Sequence, residues 1–223
     1  MPLSQRGVAV PAAVGAALAV ALLARSAARS AATDASRIAE HKHGMDARRA
    51  QHQDAAGSTT TAVISNAQGL ELYLRQWVPT QGLRVCGVVV MVHGFTVHSG
   101  LFSGVAQHLA EQGLAVVSYD QQGHGLSDCF EGLRGYIRGF ADLVEDAVQV
   151  LGWARSQHPG VPAFLLGESL GGTVVLSALR RESVREEVRG AVLMAPGIRV
   201  SKAVLPPWPL MPFLRAAAAI FPR

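Results

Sequence analysis

The chain has 223 residues, of which 49% are apolar, 16% charged and 23 are glycine, a balance that can bury a core and excludes a collagenous or broadly disordered polypeptide. The net charge of +4 is carried by 18 Arg beside 2 Lys, a bias that reports codon composition rather than a nucleic-acid partner. Residues 61–179 hold 5 basic and 9 acidic groups, which argues against a phosphate-backbone groove where most of a core would lie.

At the N-terminus, Gly7 to Ala24 is a run of eighteen uncharged residues between Arg6 and Arg25. It sits at the lower length limit for a membrane-spanning helix and is built from Ala and Val, with Pro11 and Gly15. The first reading is an uncleaved anchor that associates the protein with a membrane through residues 7–24. Two alternatives stand beside it: a secretory signal cleaved near Ser26 to Ala28, and an organelle transit peptide with no acidic residue before Asp34. Residues 26–58 turn to Ala, Arg, His, Gln and Asp, cannot bury much, and read as a linker or loose helix. His41, His43 and His52 lie there and read as solvated, since a metal site needs convergent ligands on a fixed scaffold.

The pattern changes at Thr59. Thr60 to Ser65 and Leu70 to Val78 are β-prone runs separated by Asn66-Ala67-Gln68-Gly69, which predicts a hairpin. Val88-Val89-Val90-Met91-Val92 is apolar on both faces and ends at His93-Gly94, as a central parallel strand would. Leu101 to Gln112 has helical spacing, with Phe102, Val105, Ala106 and Leu109 as its apolar face. Leu114 to Tyr119 is the next strand, followed by a Gly-rich loop from Gln122 to Asp128. Gly139 to Gln157 predicts an amphipathic helix with Leu143, Val144, Ala147, Val148, Leu151 and Ala154 inward and Asp142, Glu145 and Asp146 outward. Ala163 to Leu166 reads as a buried strand, Leu170 to Arg181 as a helix and Gly190 to Met194 as a further strand. The alternation gives an α/β class with a mostly parallel sheet, whose active site would lie along the rim of strand C-terminal ends.

Gly167-Glu168-Ser169-Leu170-Gly171 fits G-x-S-x-G, with an apolar strand before it and a helix after it. A nucleophilic serine on so tight a turn needs neighbours without side chains, which Gly167 and Gly171 supply, while Gly172 lets the helix approach the sheet. The helix N-terminus would direct N–H groups and its positive dipole end toward a developing oxyanion. In this motif the loop after the third strand and the residue after the nucleophile donate to the oxyanion, here the backbone N–H groups of Phe95 and Leu170. His93 and Gly94 read as loop-shaping residues, and His124 as a residue that fixes its own loop by hydrogen bonding.

Together His93-Gly94-Phe95, Asp120-Gln121-Gln122-Gly123-His124-Gly125-Leu126-Ser127-Asp128 and Gly167-Glu168-Ser169-Leu170-Gly171-Gly172 resemble the monoacylglycerol lipase branch of the α/β-hydrolases, the serine aminopeptidase S33-like or hydrolase 4 group. The Gly-Glu-Ser elbow and the run from Ala191-Val192-Leu193-Met194-Ala195-Pro196 into Pro206-Pro207-Trp208-Pro209 are most similar to plant-type members, including caffeoylshikimate esterase. The resemblance implies an α/β-hydrolase fold, Ser169 as nucleophile, a small ester or lipid as substrate, and a cap over the acyl pocket beginning near Ser201.

One departure matters. The triad order in this fold is Ser, then Asp or Glu, then His, yet all eight histidines precede Ser169, the last being His158, and no Asp follows it. Glu182, Glu186 and Glu187 lie in an Arg/Glu stretch that reads as an exposed helix end. The expected organisation is an anchor or targeting segment over 1–25, a linker over 26–58, a partial hydrolase core over 59–200 and the start of a cap over 201–223, lacking the last strands and most of the cap. The leading function is a serine ester hydrolase that is incomplete or inactive as given. A non-catalytic, membrane-tethered binding protein and a thioesterase, peptidase or acyltransferase of the same fold remain alternatives. With no dinucleotide fingerprint, P-loop or metal-ligand spacing, no cofactor and no metal are expected. Cys86 and Cys129 read as free thiols.

Overall fold

The computed structural model describes residues 36, 39, 42, 44–49, 59–80, 82–199 and 208–220. In chain order these form β1 (Thr59–Ser65), β2 (Glu71–Trp77), β3 (Gly87–Val92), a 3-10 turn (Ser99–Phe102) leading into α1 (Ser103–Glu111), β4 (Leu114–Tyr119), α2 (Phe140–Gln157), β5 (Ala163–Glu168), α3 (Leu170–Ala178), α4 (Glu182–Glu187), β6 (Val188–Met194) and α5 (Met211–Ile220).

The strands make one six-stranded sheet in the order β1-β2-β4-β3-β5-β6. The hairpin joins it antiparallel, β2 against β4, while β4, β3, β5 and β6 run parallel. The turn between β1 and β2 is set by Asn66, whose side-chain oxygen accepts from the N–H groups of Gln68 and Leu70 at 3.0 and 2.8 Å. β3 is buried along its whole length, and its alternation sorts the core into two layers. Val88, Val90 and Val92 face α2 and α3, where Leu143, Val150, Leu151, Val174 and Val175 complete the larger cluster. Val89 and Met91 face α1, with Ala106, Ala110, Val116 and Leu166. Beyond α1, that second face opens as an apolar cavity of about 440 Å³, lined by Phe164, Leu166 and Val192 among others.

Four expectations are corrected. α1 turns Ala106 and Ala110 to the sheet while Val105 is 52% exposed. The 3-10 start at Ser99 changes the angular step before the α-helix begins at Ser103, so the buried face is set by two small residues at i, i+4. Asp146, read as outward, is buried on α2, where Asn66 Nδ2 and Gln122 Nε2 donate to its two oxygens at 2.9 and 2.8 Å; two amides satisfy the carboxylate and widen the buried arc. Residues 44–49 of the stretch read as burying little are helical, and Met45 and Arg49 are 2% and 5% exposed.

The fourth correction concerns the membrane. Among the described residues no helix is long and apolar enough to cross one, so a transmembrane N-terminal segment and the localisation drawn from it are not supported. Residues 7–24 lie outside the described residues, as do His41, His43 and His52.

Candidate active site

Ser169 stands between β5 and α3 with φ 52° and ψ −115°, a conformation that costs a residue bearing a β-carbon on the order of 1–3 kcal/mol. The surroundings hold it there. The Ser169 N–H donates to the Met194 carbonyl at 2.9 Å, and its own carbonyl accepts from the N–H groups of Thr173 and Gly197, both at 3.2 Å. The turn can close only with glycine on either side. A β-carbon on Gly167 would lie 2.6 Å from the Gly171 carbonyl oxygen, and one on Gly171 would lie 2.1 Å from that of Val92. At Gly172 the nearest atom would be Pro196 Cβ at 2.9 Å, so this glycine admits the segment after β6 to the elbow.

The loop after β3 packs directly on this turn. A β-carbon on Gly94 would meet Glu168 Oε2 at 2.5 Å and Ser169 Cβ at 3.2 Å. Phe95, next along, carries a half-exposed ring, and Leu170 opens α3 on the other side of Ser169. The backbone positions read as oxyanion donors are thus brought to one end of neighbouring strands.

His93 is fully buried. The Gln121 N–H donates to its Nε2 at 2.9 Å, which places the ring proton on Nδ1, 2.7 Å from the Gly94 carbonyl. Burial, the largest influence, holds its pKa down to about 4. With both nitrogens engaged and the ring neutral, His93 has nothing to offer Ser169 as a base. His124 sits with its ring centroid 5.5 Å from that of His93 and 5.4 Å from that of Phe95, edge to face. Its Nδ1 lies 3.0 Å from the Gln122 carbonyl, while its buried Nε2 has no hydrogen-bond partner among the described residues. Among the described residues no histidine or carboxylate hydrogen-bonds the Ser169 hydroxyl. His158 follows α2 and lies at the far end of β5, its Nε2 2.6 Å from Gln76 Nε2. Glu187, on α4 at the start of β6, pairs with Arg155 at 2.8 Å, also at the rim opposite Ser169.

Residues 84–223 match the hydrolase 4 family, described as serine aminopeptidase, S33. The chain belongs to this family. Among curated relatives it is 34% identical over 138 residues to a monoacylglycerol lipase of Mycolicibacterium smegmatis, covering 62% of this chain and 47% of that protein. It is 35% identical over 134 residues to the monoglyceride lipase of Homo sapiens, covering 60% and 42%. Against caffeoylshikimate esterase of Arabidopsis thaliana the identity is 31% over 129 residues, covering 56% and 37%. The chain spans about half the length, or less, of these relatives. A soluble variant of the Saccharomyces cerevisiae monoglyceride lipase superposes with a TM-score of 0.62 at 20% identity, over 74% of this chain and 54% of that one. The fold is that of the α/β-hydrolases.

Several groups that support the turn at Ser169 are given no supporting role by the sequence reading. Met194, at the end of β6, and Gly197, just beyond it, fix the backbone of Ser169 from more than twenty positions downstream. Asp120 is buried and ties two loops, accepting from the Ser99 N–H at 2.7 Å, from Ser99 Oγ and from the Leu126 N–H at 2.6 Å. Gln121 Nε2 donates to the His93 carbonyl at 2.6 Å. A local signal for this network is Gly125 in the Gly-rich run, where a β-carbon would fall 2.0 Å from Asp120 Oδ2.

Proposed function

We propose that the chain belongs to a serine ester hydrolase that acts on a monoacylglycerol or another small carboxylic ester through an acyl-enzyme on Ser169. The observation that carries this reading is the strained turn at Ser169, enforced by glycines whose replacement would collide with backbone. A fold seldom keeps such a conformation without a use for it. In the reaction Ser169 Oγ attacks the ester carbon as its proton passes to a base. Phe95 and Leu170 N–H groups stabilise the oxyanion, the alcohol leaves, and water releases the acid. The relatives named as lipases support the substrate class.

The residues after Ser169 provide neither the histidine nor the aspartate of the usual triad. The 223 residues alone are therefore expected to retain only what the oxyanion donors and binding provide, roughly 10³ to 10⁴ over water. External imidazole tests this directly. Fluorophosphonate labelling of the chain should be slow, confined to Ser169, accelerated by imidazole and absent from Ser169→Ala. Equal labelling of the Ala variant, or none at any imidazole concentration, would defeat the hydrolase reading. A second reading is a non-catalytic binding protein built on the hydrolase fold: among the described residues no histidine or carboxylate hydrogen-bonds the Ser169 hydroxyl, and failure of imidazole rescue is its expected result.

A further inference from the structure

Residues 44–49 place one guanidinium deep against the core. The Arg49 side chain is 6% exposed. Its Nε donates to the Leu126 carbonyl at 2.8 Å, Nη2 to Asp128 Oδ1 at 3.0 Å and Nη1 to the Glu71 carboxylate. Longer contacts reach Asp46 Oδ1 and the Glu71 carbonyl, both at 3.4 Å. Met45 packs beside it in a small cluster with Tyr73 and Leu126. The loop it grips, Gln121 to Asp128, is the one that touches the oxyanion loop. Leu126 and Ser99 N–H groups share the Asp120 carboxylate, the Gln121 N–H and side chain hold His93, and the His124 ring abuts Phe95.

We propose that Arg49 is a positioning residue for the active-site rim, clamping the Gln121 to Asp128 loop and, through it, the loop that carries Phe95. The inference rests on the reading of Phe95 as an oxyanion donor. The chemistry fits a planar fork and not a point charge, because each of the three guanidinium nitrogens donates to a separate acceptor at its shortest contact and two of these are carboxylates. Without Arg49, Glu71 and Asp128 face each other across a backbone pairing in which Asp128 N–H donates to the Glu71 carbonyl at 2.8 Å and Glu71 N–H to Asp128 Oδ2 at 3.1 Å. Lys42, 3.7 Å from Glu71 and half exposed, offers only partial compensation.

Amide hydrogen exchange on the 223-residue chain tests the clamp without requiring turnover. Arg49→Met should speed exchange at Ser99, Gln121 and Leu126 at least about tenfold relative to Val90 and Met91 of β3, which report global opening. Arg49→Lys keeps the charge but not the fork, so the same three amides should stay fast while β3 keeps its wild-type rate. Should Arg49→Met unfold the whole chain, the Lys variant carries the test. The proposal is overturned if Lys restores wild-type exchange, or if only Leu126 and residues 44–49 respond while Ser99 and Gln121 do not. In either case Arg49 merely fastens its own segment. A chain that shows the exchange pattern yet never labels at Ser169 would instead defeat the hydrolase reading and leave the clamp intact.

Discussion

Gly171 and Val92 are in backbone contact: a β-carbon on Gly171 would lie 2.1 Å from the Val92 carbonyl oxygen, with the His93 carbonyl oxygen 2.6 Å away on the same side. Neither atom belongs to a side chain that could rotate aside, so α3 would have to move from the sheet. Gly171→Ala should therefore destabilise by about 1–3 kcal/mol or more and abolish labelling of Ser169. Gly152, on α2, is the control because nothing lies within 4 Å of its would-be β-carbon. Gly152→Ala should stabilise by about 0.5–1 kcal/mol. Urea midpoints at unchanged m-value read both, and a neutral Gly171→Ala would mean that the elbow is looser than its contacts require.

The strain at Ser169 predicts an opposition between stability and chemistry. At φ 52° and ψ −115°, alanine keeps the steric cost of a β-carbon while glycine does not. Ser169→Gly should melt higher than Ser169→Ala by the equivalent of about 1 kcal/mol, the strain relieved less the added chain entropy of glycine. Both variants should be dead to the fluorophosphonate probe. Equal melting temperatures would show that the surrounding structure adapts to serine at no cost.

Much of this fold is written locally. The Val88 to Val92 run makes a central strand because it is apolar on both faces, and Gly167 and Gly171 bracket Ser169 closely enough to be seen in a five-residue window. Asp146 and Arg49 escape the same reading for one reason. A charged residue in an amphipathic pattern points outward unless its partners are known, and these partners lie 80 positions away at Asn66 and 79 at Asp128. The hold of Met194 and Gly197 on Ser169 is hidden likewise, because a carbonyl or N–H group has no residue type to betray it. Residues 44–49 belong to a stretch whose composition reads as burying little, whereas two buried side chains dock it to β2 and the Gly-rich loop.

Asp146 and His93 should make stability depend on pH in opposite senses. Burial, the dominant influence, pushes the Asp146 carboxyl from 3.8 up to about 6, so the folded state binds more protons than the unfolded one between those values. Its contribution is greatest below about 3.8 and is lost as pH rises through about 6. His93 is held from 6.5 down to about 4, so the folded state binds fewer protons there. Its contribution is present above 6.5 and is lost as pH falls through about 4. The stability of Asp146→Asn relative to wild type should therefore be higher at pH 7 than at pH 4, by an amount on the order of a few kcal/mol, whatever its offset from placing an amide donor against Asn66 or Gln122. His93→Gln should flatten the loss on acidification. Urea titrations at pH 4, 5.5 and 7 read both, and parallel curves for Asp146→Asn and wild type would refute the assignment.

β6 offers a different vulnerability. Among the described strands it pairs on one side only, with β5, and its residues Val192 and Met194 are 58% and 48% exposed. Val192 also lines the open apolar cavity with Phe164 and Leu166. An unpaired strand edge beside an uncovered apolar face is a template for a second chain. Val192→Lys places a charge on that edge at a position already in contact with water, so the expected change in folding stability is within about 0.5 kcal/mol. Sedimentation velocity should find the wild-type chain self-associating at concentrations where Val192→Lys remains monomeric. If the two associate equally, assembly does not pass through this edge, and the exposed Trp208 and Phe213 become the surface to alter next.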